Sequence, residues 1–476
     1  MIRIVDITIE LLFSLFQTII TGIFDFVVAF ATPQNKNGFS ASFLPSHKLL
    51  SSSAKGFCLT GDTSLSVDNS ITNSIVFGGS GSGKSSQVLI PSILKMMGAS
   101  SLVIHDPSGE LAEKTSGALK SSHYDVKFLN WIKPEQSEYF NPLHRITNIS
   151  DIKKISKILI HTSLGGGGKD PFWNMSAEGL LTIFIRYVIF HTEKEFHSLF
   201  NVLCLINAFA GTPQKIDLLF IKTDDDNLLE EYKSFVSYDS KMLMSIVATA
   251  RTALSIFSDP QIAHITSRDT IDFESFRKGK TILYINNNVN DMKYYTVLSS
   301  IFFEQFFANI MSHLPKKKEF PIFFLLDEAS SLYLNILPIA ISNIRKYFSG
   351  IMLVFQSQNQ LIDLYGVQQG RNILANSFSK VYMPGVPLDV AKELESILGK
   401  YEFIDDDNAR RTRPLLTADE IRTLNEAIIL CGNFLPIKAR MIPYYKQRAL
   451  KRLTELLPYE PQQDNYSEYI PKIQFI

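Results

Sequence analysis

Apolar residues dominate the start of the chain. From Ile4 to Ala31 there is no Lys or Arg, and between Leu11 and Ala31 the only charge is Asp25. Asp6, Glu10, Ser14, Gln17, Thr21 and Asp25 recur every three or four residues. At about 100° per residue this spacing gathers them into one narrow polar stripe on an otherwise apolar helix. About 20 apolar residues can span a bilayer, and acids within a membrane face other helices rather than lipid. Residues 1–35 are therefore predicted to form a helix that either anchors the chain in a membrane or docks on a partner. Lys36, Lys48 and Lys55 follow the helix and favour a cytoplasmic C-terminal side.

After a polar linker, short apolar runs alternate with turn signals. "NSIVF" before a glycine-rich loop, "SSLVIH" ending at Asp106 and broken by Pro107, "TILYINNN" from Thr281, "FPIFFLL" from Phe320 and "GIMLVF" from Gly350 each read as a buried strand. From Ile146 to Ser267 the period becomes helical, as in "SAEGLLTIFIRYVIF" and "KMLMSIVATARTALSIF". Strands separated by helices predict a parallel sheet wrapped by helices, so the expected fold class is α/β with an inserted all-α domain. The expected divisions are 36–145 and 268–457 for the two parts of the α/β domain, 146–267 for the insertion and 458–476 for an irregular tail rich in Pro, Gln and Tyr. Gly165–Gly168, followed by "KDPFW", predict a mobile loop within the insertion.

Composition narrows the field. In 476 residues, 45% are hydrophobic and 20% charged, which describes a globular chain with a real core. The 47 basic and 47 acidic residues cancel, so no global field draws the protein to nucleic acid, and such contacts must be local. The clusters Lys153/Lys154/Lys157, Arg410/Arg411/Arg413 and Lys446/Arg448/Lys451/Arg452 read as solvated faces. Cys58, Cys204 and Cys431 have neither metal-ligand nor disulfide-framework spacing, which fits a reducing cytoplasm.

The strongest chemical signal is "GGSGSGKSS". Gly78, Gly79, Ser80, Gly81, Ser82, Gly83, Lys84, Ser85 and Ser86 lie between a strand and a helix and match the phosphate-loop pattern G-x-x-x-x-G-K-[ST]. Glycines let successive N–H groups turn inward on a phosphate, and the following helix presents its positive end to the same anion. Lys84 then reaches the β- and γ-phosphates of a nucleotide triphosphate, and Ser85 holds Mg²⁺. Far along the chain, "FFLLDE" ends a strand in two acids. Asp327 suits the Mg²⁺ role. Glu328, turned the other way by strand alternation, suits a water-activating role. Gln356, at the end of "GIMLVFQ", is placed to contact the γ-phosphate or its water, while Ser357 after it suits a helix cap. Arg345 is the candidate for an arginine supplied to a neighbouring subunit's site.

Seven stretches, in order, resemble one family: "GGSGSGKS", "HDPSGEL", "YFNPL", "DPFWNMSAEGLL", "FFLLDEASSL", "FQSQNQLIDLYG" and "RPLLTADEIRTL". The chain is similar over about Lys55 to Tyr445 to the type IV coupling proteins, the TraG-type ATPases of conjugation and type IV secretion. The resemblance implies a RecA-like domain with an inserted all-α domain, assembled as a homo-hexameric ring ATPase on the inner membrane. It implies as partners a relaxase bound to single-stranded DNA, or protein substrates, and the components of a type IV secretion channel. By resemblance Lys84, Ser85, Asp327, Glu328 and Gln356 carry the ATPase site. The chain departs from the family in having Ser108 where a lysine usually follows Asp-Pro. Residues 4–31 are also too short for the family's usual pair of transmembrane helices. Two alternatives stay open: a motor that exports only proteins, and a nucleotide-gated docking platform without a power stroke.

Overall fold

The computed structural model describes residues 40–164, 171–287, 292–461 and 470–474. The striped segment 1–35 and the run Gly165–Gly168 lie outside them. Among the described residues no helix is long and apolar enough to cross a membrane.

The strands are β1 (Ser74–Phe77), β2 (Ser101–His105), β3 (Asp125–Asn130), β4 (Thr281–Asn286), β5 (Ile322–Leu326), β6 (Ser349–Phe355), β7 (Ser379–Tyr382), β8 (Lys400–Ile404), β9 (Arg410–Pro414), β10 (Ala427–Cys431) and β11 (Ile437–Ala439). Nine of them form one sheet in the order β11-β10-β7-β1-β6-β5-β2-β4-β3. From β7 to β3 all neighbours are parallel, and β10 and β11 extend the sheet antiparallel. The apolar runs are continuous because helices cover both faces of the parallel region. Alternation divides each run between two cores: Ile75, Val103, Phe324 and Leu353 face one, and Val76, Ile104, Leu325 and Val354 face the other. β8 and β9 form a separate exposed hairpin, bearing Arg410, Arg411 and Arg413, and Ser40 bridges to its Tyr401.

Seven α-helices between β3 and β4, from Ile149–Leu164 to Pro260–Ile265, make up the inserted all-α part of the fold. Its core runs directly into the first sheet face. The helix Met292–Ile310 mediates the join with a layer of aromatic rings. Phe306 stacks on Phe273 at 4.1 Å, and Phe307 lies 4.6 Å from Phe324 of β5. Offset and edge contacts of this kind add to the apolar burial itself. The C-terminal stretch has no regular structure where it is described, yet it is docked at two points. The Tyr459 N–H donates to Ser116 Oγ at 3.0 Å, and the Asn201 side chain bonds Pro471 O and the Ile473 N–H at 2.9 and 3.1 Å.

The helix after the glycine loop begins irregularly. Ser85–Leu89 form a π-helical turn, with the Ile90 N–H donating to Ser85 O, and α-helix Ile90–Lys95 follows. Pro91 gives the reason. It has no N–H to donate, and in an α-helix its ring would strike the carbonyl four residues back, so a wider turn relieves the conflict.

Arg277 fixes the far edge of the sheet, where β5 and β6 begin. Its side chain is 5% exposed, and its guanidinium donates to the carbonyls of Phe320, Tyr347 and Phe348 and to Ser349 Oγ. Without it, buried acceptors lose their partner at about 1–3 kcal/mol each. Arg277→Met is expected to lower the unfolding free energy by about 3 kcal/mol or more in denaturant titration. A loss below half a kcal/mol would show that these carbonyls are satisfied in another way.

Candidate active site

The central strands deliver their functional residues to one edge of the sheet, because parallel strands all end on the same side. β1 runs into the glycine loop. Gln356 directly follows β6, beside it; Asp327 and Glu328 directly follow β5; Asp106 directly follows β2. Lys84 and Asp327, far apart in sequence, come close enough for the lysine's charge to act on the carboxyl.

The loop has the backbone its pattern calls for. Gly81 and Gly83 have φ of 74° and 88°, values that disfavour any side chain. A Cβ at Gly79 or Gly81 would meet nothing within 4 Å, so these two glycines face open space. The Gly78 N–H donates to Phe355 O of β6 at 3.1 Å, which ties the loop to the neighbouring strand. Lys84 Nζ crosses the loop and donates to the carbonyls of Gly78 and Gly79 at 2.6 and 3.0 Å. Ser82 Oγ is buried without a partner. Ser85 and Ser86 open the helix, where the first N–H groups of a helix have no intrahelical acceptors. The donors, the ammonium and the hydroxyls together fit a polyphosphate with its Mg²⁺.

Asp327 and Glu328 lie just past the last residue of β5, so strand alternation does not separate them as the sequence suggested. A turn does so instead. Glu328 has left-handed φ 48° and ψ 50°, an unfavourable conformation for a non-glycine residue and one that concentrates at functional sites. In this pose Glu328 Oε1 accepts from Gln356 Nε2 at 2.8 Å and from Ser330 Oγ at 3.2 Å. The carboxylate and the amide thus form one unit at the cleft. Ser357 caps the helix Gln358–Ala375, accepting from the Gln360 N–H.

The sequence reading gave Asp106 no role. β2 and β5 pair with His105 opposite Leu326, so Asp106 and Asp327 occupy the next position in register. Asp106 is fully buried and accepts from the Ala112 N–H at 2.8 Å and from the Ser108 hydroxyl at 3.3 Å. Burial pushes its carboxyl up to about 6, against the pull of these donors. Burial likewise pushes Asp327 up to about 7, with the charges of Asp106 and Glu328 adding to the effect and the Glu328 N–H and Lys84 opposing it. His105 supports the acid turn from below. One ring nitrogen, Nδ1, contacts Asp327 O at 2.7 Å, and the Asn287 amide faces the other at 3.4 Å. Burial lowers His105 to about 4, so the ring is neutral and its Nδ1–H donates to the carbonyl. The available signal for these residues was "VIHDP", a strand tip bearing an acid; its significance depends on which strand lies alongside, and sequence does not give that.

Arg345 stands apart. It is exposed in the turn Ile344–Tyr347 that precedes β6, at the opposite edge of the sheet from its own loop. Within one subunit it does not meet Lys84, Asp327 or Glu328.

A glycine loop after β1, an acid pair after β5 and a glutamine after the strand between them define a RecA-like P-loop fold. The family follows from comparison: a model described as "Type IV secretory system Conjugative DNA transfer" matches residues 36–469, and the chain belongs to that family. It is 26% identical over 417 residues to Protein VirD4 of Rhizobium radiobacter, covering 80% of this chain and 58% of that protein. It is 28% identical over 313 residues to the probable conjugal transfer protein TraG of Sinorhizobium fredii, covering 63% and 48%. The chain thus spans less than two thirds of the length of these relatives. In structure it resembles the plasmid coupling protein TrwB in complex with ADP and Mg²⁺, with TM-score 0.67, 20% identity and coverage of 86% and 95%. It also resembles a bacterial conjugative coupling protein, TrwBdeltaN70, with TM-score 0.68, 19% identity and coverage of 90% and 97%. At these identities the structural likeness is one of fold.

The raised carboxyl of Asp327 has a consequence for stability. The folded protein holds a proton that the unfolded chain has already released between about pH 4 and 7, so this group costs stability increasingly as pH rises through that window. Asp327→Asn is expected to melt several degrees above the unsubstituted protein at pH 8 without added nucleotide, with the gap narrowing toward pH 5. A gap independent of pH would show that the acid is not destabilised by its surroundings.

Proposed function

We propose that the protein is a type IV coupling protein. In this reading it is an ATP-driven ring translocase that takes up relaxase-bound single-stranded DNA, protein substrates or both and passes them to a type IV secretion channel. The observation that carries the reading is the meeting of the glycine loop and Lys84 with Asp106, Asp327, Glu328 and Gln356 at one sheet edge, in a chain of this family.

The residues divide the work by chemistry. Lys84 and the loop N–H groups hold the polyphosphate, and Ser85 and Asp327 would hold Mg²⁺, whose charge offsets that of the phosphate oxygens. Asp106 strengthens the acidic pole beside Asp327 and fixes the start of the helix Glu110–Ser121 through its bond to Ala112. Glu328 is the acceptor for the proton of an attacking water, and Gln356 orients the Glu328 carboxylate. A platform that only binds nucleotide has no need of a glutamate held in this strained pose, which favours turnover. Arg345 lies at the far edge of its own sheet, so its contribution is to the site of a neighbouring subunit in a homo-hexameric ring. The cancelling charges of the chain confine contacts with DNA phosphates to the ring lumen. Residues 1–35 hold the assembly at the inner membrane, with the nucleotide-handling part in the cytoplasm.

Lys84→Ala is expected to abolish ATP hydrolysis and substrate transfer in cells. Arg345→Ala is expected to cut hydrolysis by roughly 10³-fold or more while each subunit still binds nucleotide. Mixing the two variants should restore part of the hydrolysis, at interfaces where an intact arginine meets an intact loop. Turnover by Lys84→Ala alone would remove the motor reading. Absence of rescue in well-mixed oligomers would remove the role in trans.

A further inference from the structure

A cavity of about 190 Å³ lies beside the first glycines of the phosphate loop. Gly78 and Gly79 form one wall. The others come from the tip of β6 and from the turn that leads from β7 into the helix Leu388–Leu398. Gly385 in this turn has φ 88°, and a Cβ there would meet nothing within 4 Å. The lining is mostly apolar: Phe77, Tyr382, Met383, Val386 and Val390 contribute to it. The Phe77 and Tyr382 rings lie 5.3 Å apart with their planes 32° from each other. These rings are partners across β1 and β7 and form one apolar wall, on which a flat heteroaromatic ring with polar edges can lie.

Gln358 supplies the polar edge. It lines the cavity, and its Nε2 faces the two Glu393 carboxylate oxygens at 3.4 and 3.3 Å. An ionised carboxylate only accepts hydrogen bonds, so the pair fixes which way the amide is turned: NH₂ toward Glu393 and oxygen away. Gln358 Oε1 is buried and without a partner. A buried acceptor left unpaired costs free energy that a donor on a bound molecule recovers.

We propose that this cavity is the base-binding subsite for the nucleotide whose phosphates the loop holds, and that Gln358, turned by Glu393, makes it prefer adenine to guanine or hypoxanthine. The inference rests on the nucleotide reading above. Adenine presents an amino group at its six position, which donates to Gln358 Oε1; guanine and hypoxanthine present a carbonyl there, which meets another acceptor. The shared wall at Gly78 and Gly79 connects the phosphate end of one ligand to its base end.

The test is binding, measured as displacement of a fluorescent ATP analogue from the full chain by ATP, inosine triphosphate, purine riboside triphosphate and inorganic tripolyphosphate. ATP is expected to bind on the order of tenfold more tightly than inosine triphosphate or purine riboside triphosphate, the worth of one discriminating hydrogen bond. Glu393→Gln leaves the Gln358 amide free to turn, so the ratio of ATP to inosine triphosphate affinity should fall toward one while binding persists. Val386→Trp, which fills the cavity, should weaken ATP at least tenfold and leave tripolyphosphate unchanged. Equal affinities for ATP and inosine triphosphate in the unsubstituted protein, or an unchanged ratio in Glu393→Gln, would overturn the role of Gln358. Undiminished ATP binding by Val386→Trp would overturn the subsite, and reduced oligomerisation of that variant would instead assign the cavity to a neighbouring subunit's side chain. If no triphosphate displaces the analogue, the nucleotide reading itself fails.

Discussion

Asp327 sits between charges that conflict. Asp106 and Glu328 repel its carboxylate, burial disfavours it, and Lys84 and the Glu328 N–H draw it back toward ionisation. Such a cluster is costly to hold in a folded protein, because like charges at close range destabilise each other unless a cation joins them. The surrounding structure can be understood as what keeps the cluster in place. His105 and Asn287 brace the acid turn through hydrogen bonds, Gln356 fixes Glu328, and the left-handed backbone at Glu328 turns the second acid away from the first. Polyphosphate and a divalent cation are the ligands that would relieve this arrangement, since they fit both the positive loop and the negative pole.

The rigidity needed for such placement comes from the sheet. Its central strands are buried on both faces, and their parallel register leaves little freedom to slip, since a one-residue shift would exchange the two cores. The aromatic layer of the helix Met292–Ile310 welds the inserted helices onto the face beneath β5. The same helix places Glu304, which accepts from the Ile336 N–H at 2.7 Å, just beyond the acid turn. The insertion and the segment that follows the acid turn therefore share one packed body.

Much of this was legible in the sequence. The glycine loop, the strands around it and the long helical insertion each carry a strong periodic or motif signal, and the family resemblance follows from motifs in order. What sequence could not give was adjacency. Asp106 became a site residue because β2 lies beside β5, and Gln356 reached Glu328 because β6 lies between β1 and β5; neither pairing leaves a local pattern. The separation of Asp327 from Glu328, expected from strand alternation, comes instead from a left-handed turn past the strand end. The π-helical turn after Lys84 was signalled by Pro91, within a stretch whose apolar spacing still reads as ordinary helix. Arg345, exposed in the turn before β6, likewise took its distance from the glycine loop from the sheet order and not from any local pattern.

The most direct test of the central claim is a paired measurement of nucleotide binding and steady-state hydrolysis on the full chain carrying Glu328→Gln. The substitution keeps the shape of the side chain and the left-handed turn but removes the proton acceptor. If the constellation is a hydrolytic site, ATP should bind within a few-fold of the unsubstituted protein while hydrolysis falls by a factor of ~10² or more. Hydrolysis that continues unchanged, or that is lost together with binding, would contradict the account.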